Sequence, residues 1–249
     1  MTEPRRSAVG RALFLIAARE PVPGKTKTRL GATIGMVCAA ALYAAFLVDL
    51  ADRFMPDPGE RRGFDVGWAY TPADVDFARV LTKIGCPAPP PSVRFVPQVG
   101  DGWDVRQANI LRWGYEQGYE RTVLIGSDSP HLPFAIAEVS CTLLVHHDVV
   151  MGRTLDGGYY LIGVRGDHDV LTGVPMSTTN AADALATRVA ADGLSLAEMP
   201  MTFDIDEEPD LDHLRAELAP DGAAAPATWA ALQRLGLIEA ITGPVVAVN

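Results

Sequence analysis

The chain has 249 residues, 48% of them hydrophobic and 21% charged, a balance that supports a full-sized core and excludes a disordered chain. A formal net charge of −10 excludes a general nucleic-acid binder, because duplex affinity depends on Lys and Arg neutralising phosphates. Cys38, Cys86 and Cys141 are widely spaced, form neither a zinc pattern nor a disulfide framework, and fit a cytoplasmic protein.

In chain order, Arg5, Arg6 and Arg11 precede the apolar run Ala12–Ala18, as in a signal peptide. That run ends in Arg19-Glu20-Pro21 rather than in small residues, so a buried first strand is expected, with Leu13–Ala17 in the sheet interior. Pro21, Pro23 and Gly24 open a loop. Residues 33–54 read as one helix with Thr33 as N-cap and Pro56 beyond its end; they contain Asp49 and their apolar part is too short to span a bilayer. Asp65–Tyr70 reads as a strand, and Thr71-Pro72 as the cap and first position of a helix. Val93–Val96 is a short strand and 103–119 a helix, on which Trp103 and Trp113 read as core residues. Thr122–Ile125 is the clearest strand, followed by a helix over about 133–145 and a strand at Asp148–Met151. Tyr159–Ile162, a helix at 180–192, a last strand at Met201–Ile205 and a helix at 209–218 follow. Ala/Pro-rich residues 219–227 lead to a short helix near 228–236.

This alternation predicts a three-layer α/β/α fold with a mostly parallel central sheet. The expected organisation is one domain over 11–218 and a C-terminal extension over 219–249.

Four segments carry candidate chemistry. Arg19 to Leu30 follows the first strand, where ligands of open α/β sheets bind. Arg19, Lys25, Lys27 and Arg29, with two threonines and the close approach allowed by Gly24, offer donors to phosphate oxygens. The alternative is a solvated basic turn. Gly126-Ser-Asp-Ser-Pro130 ends an apolar strand, so Asp128 either holds a divalent metal or caps the next helix. In Phe203-Asp-Ile-Asp206, Asp204 is the candidate second carboxylate, while Asp206 or Glu207 caps the helix carrying Asp210; all of these acids could equally be caps. In Asp156-Gly-Gly-Tyr159, Asp156 is a candidate general base and Gly157, Gly158 and Tyr159 candidate acceptor contacts, against the plainer reading of a hairpin turn. Asp101 either lines the pocket or shapes a turn.

Taken together, residues 21–30, 126–132, 156–163 and 204–211 resemble a bacterial family provisionally classed as glycosyltransferases, long catalogued as a domain of unknown function and in part associated with arsenosugar biosynthesis. The resemblance covers about residues 11–218. It implies the GT-A fold of nucleotide-diphospho-sugar transferases, related by motif to guanylyltransferases with a similar Lys-Thr-Arg-Leu loop. Carried over, it places Lys25, Lys27 and Arg29 on phosphates, with Asp128 and Asp204 on Mg²⁺ or Mn²⁺. Two segments depart from the family pattern: Gly152-Arg-Thr-Leu155, where Gly-Pro is usual, and Glu207-Glu-Pro-Asp210, where Thr-Pro-Glu-Asp is usual. Arg153 therefore alters the expected acceptor pocket.

The expected function is metal-dependent transfer of a sugar from an NDP-sugar to a small acceptor. The alternatives are nucleotidyl transfer from an NTP to a phosphorylated molecule, and an inactive nucleotide-binding protein. The expected partners are the nucleotide donor and a small-molecule acceptor, without nucleic acid or membrane span, and with a homodimer left open.

Overall fold

A computed structural model describes residues 10–176 and 178–238; Arg5, Arg6 and the end of the C-terminal extension lie outside these. The elements are β1 (Ala12–Arg19), α1 (Thr28–Ile34), α2 (Met36–Phe54), β2 (Asp65–Thr71), α3 (Phe77–Lys83), β3 (Arg94–Pro97), α4 (Trp103–Glu116) and β4 (Arg121–Gly126). They continue with α5 (Ala135–Leu143), β5 (Val149–Thr154), β6 (Tyr159–Arg165), α6 (Ala181–Ala191), β7 (Leu196–Thr202), α7 (Asp210–Leu218) and α8 (Pro226–Arg234).

The seven strands form one sheet in the order β3-β2-β1-β4-β6-β5-β7. Only β6 runs against its neighbours β4 and β5; the other pairings are parallel. The expected α/β fold with a mostly parallel sheet is therefore present, with β1 and β4 in its interior. Both strands are apolar on both faces because helices cover both sides. Phe14 and Ile16 join the core under α2, α5, α7 and α8, whereas Leu13 and Leu15 join the core under α4 and α6.

Four local expectations are corrected. The helix expected over 33–54 is two helices broken at Gly35 (φ 91°), so Thr33 lies inside α1 and caps nothing. Thr71 ends β2 rather than starting a helix; the cap of α3 is Asp76, whose carboxylate accepts from Arg79 N–H at 3.1 Å. The last strand lies at Leu196–Thr202, not 201–205, leaving Phe203–Asp206 in the following loop. It is an edge strand with only Met199 buried, so it lacks the apolar run that marks an interior strand. Finally, Trp103 is 38% exposed and belongs to the cleft, not the core.

Helix α8 packs on α2. Buried Asp49 accepts from the N–H groups of Ala227 and Thr228 at 2.8 and 2.7 Å, satisfying donors at the helix N-terminus. Arg53, one turn along, donates to the carbonyl of Pro130 at 2.6 Å and to that of Ala224. The Gly126–Pro130 loop is thus braced from behind by the C-terminal segment. Among the described residues no helix is long and apolar enough to cross a membrane.

Candidate active site

Loops at the C-terminal ends of β1, β4 and β7 meet at one cleft. Strands β4 and β7 are not neighbours in the sheet, yet their loops are stitched together. Ile205 N–H donates to Asp128 O at 3.0 Å, Ser129 Oγ donates to Phe203 O at 2.6 Å, and His131 Nε2 lies 2.9 Å from Thr202 Oγ1. Asp128 and Asp204 therefore flank a shared backbone bond although 76 positions separate them. Tyr43 of α2 joins the other side: its hydroxyl accepts from Arg19 N–H at 3.1 Å and lies 2.7 Å from Ser127 Oγ.

The cleft has two compartments. A cavity of about 390 Å³ is lined by Arg19, Lys27, Arg29 and Arg106, with Gln98 and Thr71 deeper toward β2 and β3. Among the described residues, the side chains of Arg19 and Arg106 are held by backbone carbonyls of Lys25 and Gly100, and neither forms an ion pair. A second cavity of about 680 Å³ is lined by Asp156, Asp204, Glu207 and Asp210, with Tyr159, Gln107 and Thr179. Arg29, Trp103, Asp128 and Asp206 line both and form the boundary between them. One compartment is basic and the other acidic.

Of the expected phosphate ligands, Arg19, Lys27 and Arg29 reach the basic cavity. Gly24 and Lys25 sit exposed outside its lining, and so does Asp101. Lys27 is not a solvated loop residue: its side chain is 5% exposed and its Nζ lies 2.5 Å from Asp128 Oδ1 and 2.8 Å from Asp206 Oδ1. Burial pulls its pKa down, but the two carboxylates outweigh that and hold it above the ordinary lysine value. Arg29 pairs with Asp206 and with Glu207. The expectation that Asp206 or Glu207 caps α7 is therefore corrected, since neither side chain does so. Instead Asp210 reaches back and accepts from their backbone N–H groups at 2.8 and 2.7 Å.

Burial, then the charges of Asp156, Asp206 and Asp128, push Asp204 up to about 7 against the opposing pull of Lys27. This mutual repulsion places four carboxylates in one electrostatic cluster. Their oxygens are suitable donors for a hard divalent cation. As arranged, though, Lys27 takes the cation position between Asp128 and Asp206, and among the described residues no three acidic, His or Cys side chains are grouped to hold a metal. In oxygen type these carboxylates fit such a cation, while Lys27 fills the position between Asp128 and Asp206.

The Asp156 turn is a hairpin between β5 and β6, and it also lines the acidic cavity. Asp156 Oδ1 accepts from Thr154 Oγ1 at 2.5 Å and from Gly158 N–H at 3.0 Å, which fixes the carboxylate and leaves Oδ2 for a ligand. Gly157 is required by its φ of 89°, and a Cβ there would lie 1.8 Å from Thr179 O. It shapes the turn from outside the cavity lining, whereas Gly158 lines it. Tyr159 is anchored by Gln107, whose amide donates to its hydroxyl at 2.9 Å, and burial raises its pKa.

Trp103, Arg106 and Gln107 were not expected in the site. They lie three and four positions apart on α4 and share one helical face. That spacing, directly after the Gly100–Gly102 turn, was the available signal.

Residues 61–178 match the family model described as an uncharacterized protein conserved in bacteria (DUF2064). That segment is a little under half of the chain. Its fold is similar to that of a Desulfovibrio desulfuricans G20 protein provisionally named a nucleotide-diphospho-sugar transferase, with a TM-score of 0.79 and 28% identity over 91% of this chain and 95% of that one. A cytidylyltransferase from Leptospira borgpetersenii shares the fold at a TM-score of 0.53 and 12% identity, covering 92% and 94% of the two chains. A 4-diphosphocytidyl-2C-methyl-D-erythritol synthase from Anaerococcus prevotii does so at 0.50 and 10%, covering 84% and 96%. No curated protein sequence matches the chain. The fold is thus of the nucleotide-diphospho-sugar transferase-like kind, and the likeness supports a nucleotide-utilising transferase.

Proposed function

We propose that this transferase moves a sugar from an NDP-sugar to a small acceptor that carries no phosphate. The division of charge along the cleft carries the reading. A nucleoside diphosphate suits the basic cavity, where Arg19, Arg106 and Arg29 provide charge-assisted donors. The acceptor then occupies the acidic cavity, where Arg29, the one cationic lining residue among those described, is outnumbered by Asp156, Asp204, Glu207 and Asp210. Nucleotidyl transfer to a phosphorylated acceptor would place that phosphate in this cavity, among Asp156, Asp204, Glu207 and Asp210, where like charge opposes it.

In the reaction, an acceptor hydroxyl forms the new glycosidic bond as the bond between sugar and diphosphate breaks. Asp156 takes the hydroxyl proton on Oδ2, since Oδ1 is held by its turn. The arginines stabilise charge growing on the leaving diphosphate. A Mg²⁺ or Mn²⁺ ion held by Asp128 and Asp204 would add to that neutralisation. Trp103 at the boundary offers an apolar face to the sugar.

A thermal-shift panel of nucleoside diphosphates, NDP-sugars and NTPs, each with and without Mn²⁺, tests this reading. Greater stabilisation by an NDP-sugar than by any NTP is expected; an NTP preference favours nucleotidyl transfer.

A further inference from the structure

Lys27 occupies an unusual place for a phosphate-loop residue. Its ammonium is buried between Asp128 and Asp206, 5.9 Å from the centre of the Tyr43 ring. It stands at the entry to α1 with φ 51°, the one non-glycine residue with a left-handed backbone among those described. The bond to Asp206 spans 179 positions and ties the β1 loop to the β7 loop across the boundary of the two cavities. A dication placed against Asp128 in this arrangement would face a fixed ammonium at close range, and Coulomb repulsion at a partly buried site is strong.

We propose that Lys27 is a displaceable resident cation. It neutralises Asp128 and Asp206 in the empty cleft, and passes to the donor's diphosphate when that binds. Asp128 is thereby released for the divalent metal. This rests on the donor-site reading above and adds an order to it: metal alone competes with Lys27, whereas nucleotide and metal bind as partners. The lysine stem is flexible enough for the exchange, and the ammonium keeps an anionic partner in both positions. Arg29 cannot play this part, because its guanidinium pairs with Asp206 and Glu207 and makes no pair with Asp128.

The test is Mn²⁺ binding by calorimetry to the full, chelator-treated protein without nucleotide. Lys27→Met should bind Mn²⁺ roughly tenfold more tightly than the wild type, an effect within the usual range of coupling between sites. Arg29→Met removes the same charge nearby and should change the affinity less than about threefold, since it leaves Lys27 in place. Unchanged or weaker binding by Lys27→Met overturns the proposal. So does an equal gain in both variants, which would report only the general field. A wild-type measurement guards against misfolding of the variant. The ¹H–¹⁵N signal of the Lys27 ammonium should shift when a mixture of ADP, GDP, CDP and UDP saturates the protein. A signal unchanged while these nucleotides bind overturns the exchange alone; failure of all four to bind overturns the donor-site reading as well.

Discussion

The backbone N–H of Ile205 donates to the carbonyl oxygen of Asp128 at 3.0 Å, joining loops from two strands that are not neighbours in the sheet. Asp204 is thereby drawn into the field of Asp128, Asp156 and Asp206, opposed by Lys27 and by Arg29, with which it forms no ion pair among the described residues. That crowding of like charge has a cost in stability.

Asp204 therefore makes stability depend on pH. Its folded pKa of about 7 lies above the ordinary carboxyl value of 3.8, so the folded state holds a proton that the unfolded state releases. The stabilisation from that proton is present at low pH and is lost as pH rises through about 7. In chelator, Asp204→Asn should melt above the wild type at pH 8, with the gap closing toward pH 5. A gap that does not change with pH would contradict this assignment. The same variant should lose most activity, because Asn lacks the charge proposed to hold the metal.

Within the basic loop the structure ranks the side chains. Arg29→Ala should weaken nucleoside diphosphate binding by about 1–3 kcal/mol, the range for a charge-assisted contact. Lys25→Ala, at an exposed residue outside the cavity lining, should cost less than about 0.5 kcal/mol. Calorimetric titration of both variants checks the order; equal losses would place Lys25 in the site.

Trp103→Ala should raise the KM for the sugar donor while leaving the melting temperature nearly unchanged, since a residue 38% exposed contributes little core burial. A marked fall in stability at unchanged KM would return Trp103 to the core.

Asp49→Ala should destabilise the protein by about 2–3 kcal/mol, because the N-terminal donors of α8 lose a buried charged acceptor. Nucleotide affinity should stay within about twofold, since Asp49 lies behind the site. Chemical denaturation and calorimetry together check it.

How much the sequence disclosed follows from range. Interior strands β1 and β4 are apolar on both faces and were legible directly. Edge strand β7 is mostly exposed, so periodicity misplaced it onto Met201–Ile205. The four motifs identified the cleft because each ends a strand. Lys27's burial was not legible, since its partner Asp206 lies 179 positions away and only the sheet order brings them together. Asp206 looked like a cap for the same reason. Trp103 and Arg106 resembled an ordinary helix start, and their exposure depends on how α4 sits beside β1 and β4.

In the proposed reaction a sugar, and not a nucleotidyl group, is transferred. The direct measurement is ³¹P NMR of the purified protein with diamagnetic Mg²⁺, a pool of NDP-sugars and NTPs, and a pool of neutral sugars and polyols as acceptors. Release of a free nucleoside diphosphate at the expense of one NDP-sugar, abolished in Asp156→Asn, is the predicted result. Release of pyrophosphate from an NTP, with every NDP-sugar intact, would contradict it.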